Sequence, residues 1–355
     1  MTPVATPTRK HSGQNASERE PVTIDLALQG GGSHGAFTWG VLDYLLEDDR
    51  LDIAAVSGTS AGAMNAVVMA EGWLENGREG AREKLKQFWR AISTENALSP
   101  AQARFFDLFF GPQTLGGQFS SLWGDFFTHF TSPYQFNPLD VNPLRDYLNQ
   151  AIDFEKVRAF DGFRIFIAAT NVHTGKIKVF KGAELTADHV MASATLPTLF
   201  QTVVIDGEPY WDGGYMGNPA LFPFFYASSA PDIVIVQINP IVRRSIPRSA
   251  REIQNRLDEI TFNGALMGEL RAIDFVVRLI DAGKLSVGDY VRPLVHRIDG
   301  CDLLSPYDAG TKLEASWQLI TTFFEFGRMS AKQWIEDTYD HLGKKSTLDL
   351  RMAYS

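Results

Sequence analysis

The sequence predicts a three-layer α/β fold, a mostly parallel central sheet with helices on both faces. Continuous apolar runs at Ile24–Leu28, Phe163–Ala169 and Asp232–Ile238 read as buried strands, the pattern of parallel sheets covered on both sides. Segments with apolar residues at helical spacing separate them, and two glycine-rich turns sit where a strand gives way to a helix.

Taken in order, residues 1–21 are polar and rich in Pro, Thr and Ser, without an apolar core segment, and are expected to be a disordered tail rather than a signal peptide. The strand Ile24–Leu28 runs into Gly30-Gly31-Gly32-Ser33-His34-Gly35, and Phe37, Val41, Leu42, Leu45 and Leu46 then recur at helical spacing. A second strand, Ile53–Ser57, leads into Gly58-Thr59-Ser60-Ala61-Gly62 and a helix of small and apolar residues, Ala63–Ala70. Glu79–Ser93 places Leu85, Phe88, Trp89 and Ile92 on one face, an amphipathic surface helix. Residues 104–136 crowd aromatics, Phe109, Phe110 and Trp123 among them, between Gly and Pro breakers. That stretch reads either as a cap-like insertion lining an acyl-chain entry or as core beneath a long loop.

A helix with Leu144, Tyr147, Leu148 and Ile152 aligned follows, then the strand Phe163–Ala169, a turn at 172–176 and a strand Ile177–Phe180. Leu185–Ala194 reads as a helix stopped by Pro197, and Val203–Ile205 and Tyr210–Asp212 as short strands. Beyond the strand at Asp232, residues 241–256 gather Arg243, Arg244, Arg248, Arg251 and Arg256, a patch for phosphate head groups or an exposed helix face. Gly264–Ala282 is expected to be a packed helix or a homodimer surface, Val291–Ile298 an alternating strand, and Thr311–Tyr339 a last helical region.

Composition narrows the function. A chain of 355 residues with 45% hydrophobic and 21% charged content holds one large α/β domain with additions. A formal charge of -9 argues against nucleic-acid partners. Cys301 is the single cysteine, so no disulfide forms within the chain. No run of 18 apolar residues appears, and a cytoplasmic location with optional membrane contact is the expectation. No metal-ligand cluster stands out, and no cofactor is expected.

The chemistry is written in the two turns. Gly-x-Ser-x-Gly between strand and helix is the arrangement of a nucleophile elbow, which makes Ser60 the candidate nucleophile. Backbone amides near helix N-termini stabilise a developing oxyanion, and the glycine turn Gly30, Gly31 and Gly32 together with Ala61 can supply them. Gly30-x-Gly32-x-x-Gly35 also fits a dinucleotide fingerprint, but the second strand ends in Ser57-Gly58 rather than in an acid, and no Lys-Ser/Thr follows for a P-loop. A serine needs a base. His296 and His341 follow Asp212 in the order of a Ser-Asp-His triad, although neither has the loop-end context of a triad histidine.

Those two turns, with Asp212-Gly213-Gly214 and the block Ala192–Pro197 ahead of it, resemble the patatin-like phospholipase family from about Ile24 to Pro223. The resemblance implies a patatin-like α/β/α fold and a Ser60–Asp212 dyad without histidine, with no metal and a lipid or phospholipid ester as substrate. His34 stands where relatives often carry a basic residue, and a partly protonated imidazole there is expected to help bind substrate. A catalytic domain over 22–230 with an extension over 231–355 packed on it completes the expectation. An esterase or thioesterase on soluble acyl groups, and a non-catalytic lipid-binding or assembly protein, are the rival readings.

Overall fold

Side chains of the central strands are buried on both faces of the sheet, alternate residues joining different apolar clusters, and the helices form a layer on each face. This computed structural model describes residues 20–93, 132–285, 292–307, 311–312 and 314–354. In β1 (Val22–Leu28), Ile24, Leu26 and Leu28 face one apolar cluster and Ala27 faces another. The first cluster takes Phe37 and Val41 from α1 (Gly35–Glu47), Val67 from α2 (Ala61–Ala91) and Phe323 from α6 (Trp317–Thr338). The second takes Leu266, Leu270 and Ile273 from α5 (Ala250–Asp281). Each such side chain withdrawn from water contributes about 2 kcal/mol, so both faces of the sheet are driven to be covered.

Among the described residues eight strands form one sheet in the order β5-β6-β3-β2-β1-β7-β8, with β4 added to β3. Here β2 is Leu51–Gly58, β3 Arg164–Asn171, β4 Ile177–Lys181, β5 Val203–Ile205, β6 Glu208–Asp212, β7 Asp232–Gln237 and β8 Leu294–Asp299. From β3 through β8 neighbours are parallel, whereas β4, β5 and β6 attach antiparallel. The parallel strands β1, β3 and β7 are the continuous apolar runs of the sequence, while β8, read as alternating, is parallel as well. The antiparallel edge is where exposed residues such as Val204 alternate with buried ones.

Three helices differ from their sequence reading. In α2 the backbone leaves helical geometry at Asn76 and Gly77, and the chain folds back on itself. Trp89 Nε1 therefore donates to Asn65 Oδ1 at 2.9 Å across the hairpin. The supposed surface helix Glu79–Ser93 is thus brought beside the elbow. In α5, the end of the arginine stretch, with Arg251 and Arg256, joins the Gly264–Ala282 helix as one 32-residue helix, started by a capping box of Ser249 and Glu252, while Arg243, Arg244 and Arg248 precede it. Conversely, the last long helix begins only at Trp317, because Thr311 and Lys312 are held against the glycine turn. The short helices α3 (Pro143–Ala151) and α4 (Ala187–Ala194) complete the layer over β3 and β6.

Candidate active site

Ser60 stands one residue beyond the end of β2, after Thr59, and directly precedes the first turn of α2. Its backbone sits at φ 54° and ψ -121°, a conformation costly for a residue with a side chain. Local bonds hold it there: the Ser60 amide donates to Ser193 Oγ at 2.9 Å, and Thr59 Oγ1 donates to the Gly217 carbonyl at 2.6 Å. The turn lifts the hydroxyl off the sheet into a cavity of about 130 Å³.

The glycine turn lies against this elbow. A β-carbon on Gly30 would stand 2.7 Å from both Ser60 Cβ and the Thr59 carbonyl oxygen, so only glycine allows the approach. The Gly30 amide donates to Asn218 Oδ1 at 2.6 Å and is not a free donor, which removes Gly30 from the expected oxyanion set. Gly31, Gly32 and Ala61 line the cavity, and no acceptor among the described residues pairs with their amides.

Strand register delivers the carboxylate. Gly58 pairs with Ile167 across β2 and β3, and Ala169, two residues further, pairs with Asp212 on β6. Asp212 therefore stands at the same end of the sheet as Ser60, with β3 between β6 and β2. A β-carbon on Gly213 would press on the Ala168 carbonyl and the Thr59 methyl, so the Asp-Gly-Gly turn packs directly on the elbow. The Asp212 amide donates to the Thr195 carbonyl at 2.8 Å, and Thr170 Oγ1 donates to the Asp212 carbonyl at 2.8 Å.

Its side chain is 1% exposed. Oδ1 accepts from the Gly214 amide at 2.7 Å, while Oδ2 is buried without a fully formed hydrogen bond. Burial pushes the carboxyl up to about 7, against the opposing pull of the Gly214 amide and the Ser60 hydroxyl. Such a group changes charge near neutrality.

Apolar side chains make the rest of the wall, including Met64, Phe88, Trp89, Leu196 and Phe262. A larger open depression of about 700 Å³, around Glu71, Lys84 and Asp153, contains none of the expected site residues. Among the described residues no cluster of His, Cys, Asp and Glu could hold a metal ion, and no helix is long and apolar enough to cross a membrane.

The sequence profile of patatin-like phospholipases matches residues 26–226, more than half of the chain. The protein belongs to the patatin-like phospholipase family. No curated protein sequence matches it. Among solved structures it is similar to VipD from Legionella pneumophila, with 14% identity and a TM-score of 0.37, over 90% of this chain and 67% of VipD. It is also similar to ExoU of Pseudomonas aeruginosa, solved in complex with SpcU, with 14% identity and a TM-score of 0.33, over 90% of this chain. The chain spans about half of ExoU, 53%.

Other expected residues fall elsewhere in this patatin-like chain. His34 is buried beneath the glycine turn, its Nε2 2.8 Å from Thr311 Oγ1. Burial holds its imidazole well below the usual range, with Lys312 and Arg243 adding to the effect, so at neutral pH it is uncharged. The expected protonated imidazole is therefore corrected to a neutral, packed one. Phe109, Phe110 and Trp123 lie outside the described residues.

His296 lies in the middle of β8, paired with Val234 of β7 and three strands away from β2, which leads to Ser60. Its Nε2 is 2.9 Å from Asp232 Oδ1 and its Nδ1 2.8 Å from Thr347 Oγ1, which is a packing role. Neither His296 nor His341 lines the cavity. Of the expected arginine patch, Arg243 and Arg256 turn inward onto buried Glu259, at 2.8 and 3.0 Å.

Sequence reasoning missed the support of the glycine turn. Gln29 Oε1 accepts from the Ile238 and Asn239 amides, both at 2.9 Å, and Asn239 Nδ2 donates to the Gly30 carbonyl at 2.7 Å. Lys312 Nζ donates to Asn239 Oδ1 at 2.7 Å, and a β-carbon on Gly32 would overlap the Lys312 carbonyl. A lysine thus backs the turn from a distant stretch of the chain, its pKa lowered by burial. Its only sequence signal was a lone lysine ahead of the last helix.

Proposed function

We propose that the protein hydrolyses carboxylic esters of lipids, phospholipids foremost, through Ser60 and Asp212. Ser60 Oγ attacks the ester carbonyl carbon while its proton passes to Asp212 Oδ2. The carbonyl oxygen, now anionic, accepts hydrogen bonds from the amides of Gly31, Gly32 and Ala61. Collapse of this intermediate breaks the bond to the alcohol, which takes the proton from Asp212 and leaves an acyl-Ser60 ester. A water then repeats the sequence, giving its proton to Asp212 and releasing the fatty acid, and the proton returns to Ser60. Phe262 and Lys312 reach the cavity from beyond residue 230, so in this reading residues 22–230 and 231–355 form one catalytic unit.

The observation that carries the proposal is the buried, unpaired Asp212 Oδ2 beside the elbow serine, on a carboxyl pushed up to about 7. An aspartate with an ordinary value would be too weak a base; this one is matched to neutral pH. The apolar wall suits an acyl chain. The test is covalent labelling with a long-chain fluorophosphonate, read by intact mass. One adduct on the wild type and none on Ser60→Ala is expected; equal labelling of both, or none on the wild type, would overturn the assignment.

A further inference from the structure

A helix packed on a sheet turns its apolar stripe inward, and α5 does so with Leu266, Leu270 and Ile273. It carries a second apolar stripe facing the other way. Ile253, Leu257 and Ile260 are 45%, 52% and 53% exposed, and Phe275 is 57% exposed on the same side. Gly264 and Gly268 lie between them with nothing near their missing side chains. The segment before the helix adds Val242 and Ile246, 73% and 76% exposed.

Cations flank this stripe: Arg244 and Arg248 ahead of the helix and Arg271 on it are exposed. The acids of α5 are directed elsewhere. Glu259 and Asp274 are buried, Glu269 accepts from the Leu221 and Phe222 amides, and Glu252 is bound into the cap. Asp258 is exposed but stands about 100° round the helix from Leu257, its Oδ1 accepting from Gln254 Nε2 at 3.0 Å, and Asp281 pairs with Arg292 at the far end. The opposite side of the helix bears Phe262, part of the cavity wall beside Ser60 and Asp212.

We propose that this outward face of α5, with residues 242–248, docks the protein on an anionic lipid surface. An exposed apolar stripe edged with arginines enters the boundary between head groups and acyl chains, and the arginines meet lipid phosphates. A second copy fits less well, because two such faces would set arginines against arginines with no acid on the stripe to pair them. Docking brings the cavity to within one helix diameter, about 10 Å, of the bilayer. The proposal takes its purpose from the reading of the cavity as a lipid-ester site.

The experiment is co-sedimentation of the full-length protein with vesicles of phosphatidylcholine, with and without phosphatidylglycerol. The wild type is expected to bind the anionic vesicles, less tightly as salt rises, and Leu257→Glu/Ile260→Glu at least about tenfold more weakly. Circular dichroism and fluorophosphonate labelling of the double variant should match the wild type. Equal binding by both proteins, or no binding by the wild type, overturns the proposal. So does a wild-type dimer that the double substitution converts to monomer without any vesicle binding. Absence of labelling in the wild type would instead count against the hydrolase assignment and leave the sedimentation result readable.

Discussion

A buried base matched to neutral pH destabilises the protein that holds it, and Asp212→Asn should expose that cost. In the folded chain the Asp212 carboxyl is pushed from its ordinary value of 3.8 up to about 7 by burial. Between those values the native state holds a proton that the unfolded chain has lost, so stability falls as pH rises through this window and levels off above about 7. Each pH unit is worth about 1.36 kcal/mol, which makes the full penalty about 4 kcal/mol. From pH 5 to pH 8.5 the wild type loses about 3 kcal/mol of it. Asparagine retains the Oδ1 acceptor for the Gly214 amide and cannot ionise.

A chain of this length unfolds with an entropy of about 0.7 kcal/mol/K, so the 3 kcal/mol corresponds to about 4 °C. Scanning fluorimetry at the two pH values is the assay. The variant should melt above the wild type at pH 8.5, by about 4 °C more than at pH 5, while losing fluorophosphonate labelling. Asp25 and Glu269, each also pushed up to about 7 by burial, are unchanged in the variant and cancel in the comparison. A gap between the proteins that does not change with pH would refute the reasoning.

In the proposed mechanism the same carboxyl governs rate. With a base near 7, kcat/KM on a monomeric ester should fall about tenfold per pH unit below that point, to about one hundredth at pH 5; a flat profile from pH 5 to 8 would exclude Asp212 as the base. Lys312→Met removes the amine behind the glycine turn and leaves Asn239 Oδ1 without its donor. It should lower kcat about tenfold with KM little changed, and Lys312→Arg should recover part of the loss. His296→Ala should cost about 3 kcal/mol in urea unfolding, since it leaves the Asp232 carboxylate buried without its ring partner, yet keep kcat within about twofold. Loss of turnover in a folded His296→Ala protein would restore the triad reading.

What the sequence disclosed, and what it hid, divides by distance along the chain. The eight strands and the elbow were legible because each depends on a short run: apolar residues at strand spacing, a serine between glycines, an Asp-Gly-Gly after a strand. The cavity's back wall was not, because Lys312 lies some 280 positions after Gly32 and meets it only through the packing of the last helix on α1. There Arg328 reaches across to Asp43 and Glu47. Periodicity likewise failed at α5, since a helix with two apolar stripes does not say which one faces the sheet.

Position 34 shows the consequence for reading motifs. A histidine in the glycine turn invites a charge at that position, but the fold packs its ring against Phe323, where a proton would have to be buried. The lysine that backs the turn is Lys312, whose own burial lowers its pKa, on a different stretch of chain but hydrogen-bonded to the same amide network that grips Gly30. An oxyanion responds to the potential at its location, whichever residue number supplies it. Electrostatic support for the glycine turn is therefore a property of the assembled site, and replacing His34 by another neutral side chain of similar shape should disturb catalysis less than replacing Lys312.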